Sequence, residues 1–187
     1  MITHHLSKIL PTIRSRCIKF KFSNPTVEQF NEIILDHYES INQNILKFLY
    51  DLSNGSPGLA IELYSENIRE TFDHLFEIFK ENKPLSSNIL QLSNKVGIYS
   101  NDQFITFLSL IKFILVNTTK INLGIDINKI FLSDLSKTLL ELSKYLDNRI
   151  SLRILEYLNI HENDLFVYNL DKKIFILNIF SPLSNKT

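Results

Sequence analysis

The run Leu10-Pro11-Thr12-Ile13-Arg14-Ser15-Arg16-Cys17 places two guanidinium groups and the chain's only thiol within four residues of one another. A guanidinium keeps its charge at every accessible pH, and its planar fork can stabilise charge that develops on a transferring phosphoryl group. Taken alone, Arg14 and Arg16 each read as a surface arginine on a short helix, a residue type able to do that chemistry but not assigned to it by the sequence pattern. Cys17 has no partner for an internal disulfide and cannot build a zinc cluster, so it reads as a small buried packing residue.

A second candidate is Gly55-Ser56-Pro57-Gly58, which has the composition of a helix start. Asn54 and Gly55 tolerate the left-handed end of one helix, Ser56 can cap the next, and Pro57 suits its first position. Such an end carries partial positive charge. No Arg or Lys lies between Asp51 and Asn67, however, so no charged side chain reinforces it. His4 and His5 are adjacent, a poor spacing for one metal, and His37, His74 and His161 have no Cys or nearby His partner. No metal site and no cofactor are expected. There is no Gly-x-x-x-x-Gly-Lys-Ser/Thr loop, no strand ending in paired acids and no Ser, His and acid grouping, so the chain alone does not carry the parts of an ATPase or a hydrolase.

These residues have to be held by helices. Glycine occurs four times in 187 residues, and apolar residues recur at spacings of three and four. Thr26 to Gln29 form a capping box that opens a helix carrying Phe30, Ile33, Ile34 and His37. Ile41 to Leu52 predict a second helix, ended by Asn54 and Gly55, and Pro57 begins a third. Ile68 to Phe79 make an apolar stripe that Pro84 stops, and a further helix spans Ser87 to Val96. The capping box Ser100 to Gln103 opens a long helix through Val116, followed by a loop over 117–126. Ile127 to Leu146 predict another helix, and the run from Asn169 to Phe180 a terminal one capped by Asn169. The exception is Ile18 to Phe22, whose alternation with Lys19 and Lys21 suits a short strand. A lone strand has no pairing partner, so it reads as the remnant of a sheet. The expected fold class is all-α with that remnant at the N-terminus.

Composition sets limits on function. Apolar residues make up 44 % of the chain, with fourteen Phe and no Trp, which is enough for a sizeable core. Twenty basic residues balance twenty acidic ones, so no overall positive field draws the chain to nucleic acid. The most apolar segment, Phe104 to Val116, contains Lys112 and is too short to span a bilayer. No membrane partner and a cytoplasmic location are expected.

The order "KILPTIRSRC", a following "KF" strand end, a bundle closing in "NGSPGLAIEL" and the late run "NLDKKIFILNIF" together resemble the clamp-loader branch of AAA+ proteins, most closely its delta-prime type in bacterial DNA polymerase III. The resemblance covers both ends of the chain, and the middle shares only helical character. It implies that Ser15, Arg16 and Cys17 are the family's Ser-Arg-Cys motif, whose arginine projects into a neighbouring subunit's ATP site. It implies a lid bundle over 23–67 and a helical collar over 68–187, after a remnant of the nucleotide-binding domain over 1–22. ATP-binding members carry a sensing arginine at about Gly58; its absence implies a subunit that does not itself turn over ATP. The implied partners are delta and tau/gamma-type loader subunits, and through them the sliding clamp and primed DNA. Ile2 to His4 fall where the family's sensor-one strand ends, so the chain is expected to start deep inside the nucleotide-binding domain. The rival expectation is a free-standing helical interaction protein that retains the motif only by ancestry.

Overall fold

The computed structural model describes residues 25–127 and 130–184, together with 10, 12, 15–18 and 23. The described residues form nine α-helices and no strand. Of the expected strand only Ile18 is described, and it is exposed; residues 19–22 lie outside the described part.

The first three helices start and stop where local chemistry dictates. In α1 (Val27–His37) the Thr26 hydroxyl accepts from the Gln29 N–H at 3.3 Å, and the Gln29 carboxamide oxygen accepts from the Thr26 N–H at 3.0 Å. Asn42 caps α2 (Gln43–Ser53), so that helix begins two residues later than Ile41 suggests. Asn54, at φ 51°, ends it in the left-handed conformation, and Pro57 opens α3 (Pro57–Ser65). Phe30 and Ile34 of α1, Leu46, Phe48 and Leu49 of α2, and Ala60 and Leu63 of α3 are buried.

Helix α4 (Ile68–Glu81) extends this core into the rest of the chain. Its Phe72 meets Phe48 of α2 edge-on at 5.4 Å, while Phe79 meets Phe180 near the other terminus at 5.6 Å. α4 also packs against α5 (Ser87–Gly97), α6 (Asn101–Asn122) and α7 (Leu135–Leu142). Helix α8 (Asn148–Val167) lies along α6, and α9 (Lys172–Phe180) packs on α5 and α8 before a short 3-10 turn over Ser181–Ser184. The buried apolar residues form one continuous cluster from Phe30 to Leu183.

Three expectations in this half are corrected. The long helix does not end at Val116 but runs to Asn122. Asn117, Thr118 and Thr119 read as loop formers, yet their side chains donate back to the carbonyls of Phe113, Ile114 and Leu115 one turn earlier and stay within the helix. The helix expected over Ile127 to Leu146 is reduced to α7, because the N–H groups of Leu132 and Ser133 are taken by the Asp51 carboxylate instead of a helical turn. Asn169 does not cap the last helix: it sits at φ 50° in the preceding turn, and Asp171 accepts from the Ile174 N–H at 2.9 Å.

Helix α6, 22 residues long, is the one described helix long and apolar enough to cross a membrane, which corrects the length expected for this segment. Phe104, Phe107, Leu108, Ile111, Ile114 and Leu115 are buried in the core, and Lys112 pairs with Glu162 of α8. Among the described residues it is the central helix of the larger half of the chain.

Candidate functional site

Ser15, Arg16 and Cys17 sit in an exposed turn. The Ser15 hydroxyl donates to the Thr12 carbonyl at 3.1 Å, a local bond that fixes the turn immediately before Arg16. No ion pair holds Arg16 among the described residues, so its guanidinium is presented to solvent. Cys17 is exposed and free, which corrects its reading as a buried packing residue: the turn carries it outside the core. Arg14 lies outside the described residues.

Gly55 to Gly58 form the junction of α2 and α3. Gly55 is buried at φ 73°, and a Cβ there would meet the Tyr50 ring at 3.3 Å, so both backbone angle and space favour glycine. Ser56 is the N-cap residue of α3 but its hydroxyl makes no capping bond; Pro57 follows at the first helical position. Gly58 is exposed with open space where a Cβ would stand. An open hollow beside Pro57 is lined by Ser23, Pro25, Gln29, Glu32 and Ile33, which brings the residues just after the Arg16 segment to the start of α3. Among the described residues of that lining the one charged side chain is the acid Glu32. No hydrogen bond or ion pair joins Ser15–Cys17 to Gly55–Gly58 among the described residues.

His4 and His5 lie outside the described residues. His37 meets Tyr38 edge-on, while His161 stacks with Tyr157 at 4.6 Å and stands 3.9 Å from Asp164. No group of three His, Cys, Asp or Glu residues could hold a metal among the described residues.

Two polar arrangements escaped the reading of the sequence. The first is Asp51, 8 % exposed on α2, whose carboxylate oxygens accept from the Leu132 N–H at 2.8 Å and the Ser133 N–H at 2.7 Å. The second is a set of acids where α3 meets α4. Burial first, and then the charges of Glu62 and Asp102, push the Glu66 carboxyl above its ordinary range. Nearby Glu70 is pulled the other way by its bond and charge interaction with Lys95, 3.0 Å away. The recurrence of Glu62, Glu66 and Glu70 every four residues was the available signal, but Asp102 and Lys95 join them only through the fold.

The chain matches no protein-family model, no curated protein and no solved structure.

Proposed function

We propose that this chain is a delta-prime-like subunit of a bacterial clamp loader, acting in DNA replication in the cytoplasm. In this reading residues 23–67 are the lid and 68–187 the collar that assembles with delta and tau/gamma-type subunits. The observation that carries the proposal is Arg16, which lies on an exposed turn inside the run Leu10 to Cys17 and has no ion-pair partner among the described residues. An arginine meant for a neighbour's nucleotide has to be free of partners within its own subunit, and its planar fork then meets the phosphoryl oxygens of ATP bound next door. The helical body after residue 25, and a sequence with no Arg or Lys between Asp51 and Asn67 around the helix junction at Gly55–Gly58, support the same reading. The role is structural: the collar joins the ring, and Arg16 acts in trans while the loader opens the clamp and seats it on primed DNA. No cofactor is assigned to this chain.

The test is reconstitution. The purified chain is mixed with purified delta and tau/gamma-type subunits and the product sized by light scattering. The expected result is a discrete complex containing this chain. Recovery of the chain as an unassociated species at micromolar concentration overturns the proposal in favour of a free-standing interaction protein.

A further inference from the structure

The junction of α3 and α4 faces the end of α5 and the start of α6 across a cleft of about 290 Å³. Its walls include Glu66, Glu70, Thr71, Lys95, Tyr99 and Phe107. Glu70 is satisfied at both oxygens, by Lys95 Nζ at 3.0 Å and by Asn67 Nδ2 at 2.7 Å, and this also occupies Lys95. Glu66 differs: it is half-buried, its backbone N–H donates to the Glu62 carbonyl at 3.1 Å, and its carboxylate makes no hydrogen bond or ion pair with any described residue. Glu62 and Asp102 lie close enough to raise its pKa, so the cleft holds an excess of negative charge.

Thr71 supplies an independent observation. It is 4 % exposed and lines this cleft, yet its hydroxyl has no partner among the described residues. Thr118, Thr119 and Thr138, also in helices, each donate to a carbonyl one turn back. The Thr71 hydroxyl is not one of the sealed, unpaired buried atoms, so it is open to the cleft. Opposite stand Tyr99 and Phe107, whose rings meet edge-on at 6.4 Å.

A carboxylate and a hydroxyl without partners among the described residues, together with an aromatic wall, complement a cation on a short apolar stem. The acid repels anions, the rings favour a cationic or apolar neighbour, and the hydroxyl accepts a hydrogen bond from an N–H donor. We propose that this cleft binds an alkylammonium or alkylguanidinium group, with Glu66 as counter-ion, Thr71 as a second polar contact, and Tyr99 and Phe107 against the stem. The group belongs either to a free polyamine-like molecule or to a Lys or Arg side chain of a protein segment.

The isotope-labelled full chain is titrated with putrescine, with Nα-acetyl-lysine-N-methylamide and with neutral n-butanol, and amide shifts are followed by NMR. The expected result is saturable shifts centred on Glu66, Thr71, Tyr99 and Phe107 with the two cations and none with butanol. Tighter binding of putrescine identifies a free cation; equal or tighter binding of the lysine derivative identifies a side chain. Glu66→Gln, nearly isosteric, weakens binding about tenfold or more, as loss of a charged pair does, and Thr71→Val weakens it by a smaller factor. Glu39→Gln, at an exposed acid outside the cleft, leaves binding unchanged. Absence of saturation at millimolar cation, shifts spread evenly over surface acids, or Glu66→Gln binding as the parent does would each overturn the proposal.

Discussion

Removal of the Asp51 carboxylate is the sharpest test of how the two halves of the chain are held together. Asp51 lies on α2, and the amides it accepts, those of Leu132 and Ser133, lie 81 and 82 residues further on. Both bonds are short, and the acceptor is 8 % exposed. Asp51→Ala leaves two N–H groups without an acceptor, at about 1–3 kcal/mol each if they stay dry. Water reaching the half-exposed loop recovers part of this, so we expect a net loss of about 2–4 kcal/mol. Asp51→Asn keeps one carboxamide oxygen and loses the charge, so about half of that loss is expected. For a chain of this size each kcal/mol lowers Tm by about 2–4 °C. Thermal unfolding followed by circular dichroism gives the order parent, Asn, Ala, and hydrogen exchange adds a local readout, because the Leu132 and Ser133 amides should lose protection first. A loss below about 0.5 kcal/mol for Asp51→Ala, the size of an ordinary surface change, would refute the reasoning. So would unchanged exchange at these two amides.

Other outcomes follow from single features. In the reconstituted loader, Arg16→Lys should keep assembly intact while lowering stimulated ATP turnover about 10³-fold, as loss of an arginine finger does; turnover equal to the parent counts against the trans role. Gly55→Ala should cost about 1–2 kcal/mol in urea unfolding, since alanine resists the left-handed angle and its methyl would press on Tyr50. Ser151→Ala should be neutral or stabilising by about 1 kcal/mol, because the buried hydroxyl has no hydrogen-bond partner to lose among the described residues. Because Glu66 is raised in the folded chain, its contribution favours folding while it is protonated and is lost as pH rises from the ordinary carboxylate range through the raised value. Glu66→Gln should therefore raise Tm at neutral pH and leave it unchanged below the ordinary carboxylate range, so a lower Tm at neutral pH contradicts the assignment.

Features fixed within one turn of chain were legible in the sequence. Both capping boxes, Thr26 with Gln29 and Ser100 with Gln103, close with the expected reciprocal bonds. Pro57 opens α3, and Asn54 ends α2 in the left-handed conformation. Partners distant in sequence decided the rest. The start of α7 is set by an acid on α2, and the turn before α8 is held by Asn82 and Asn122, which donate to the carbonyls of Tyr145 and Leu146. No window of local periodicity contains those pairs. The cleft around Glu66 is the same kind of object, since its acids and rings come from α3, α4, α6 and the turns between helices, and its lysine from α5. Exposure of Cys17 was likewise illegible, because a single thiol is compatible with either side of a surface.

The junction of α2 and α3 also sets how the chain ages. Asn-Gly is the sequence most prone to spontaneous deamidation, which begins when the glycine nitrogen attacks the preceding carboxamide. At Asn54–Gly55 that nitrogen donates to the Tyr50 carbonyl at 2.9 Å, and Gly55 is buried against the Tyr50 ring. Succinimide formation at this bond therefore has to wait for the last turn of α2 to open, and the rate at which isoaspartate accumulates there becomes a slow clock for that opening.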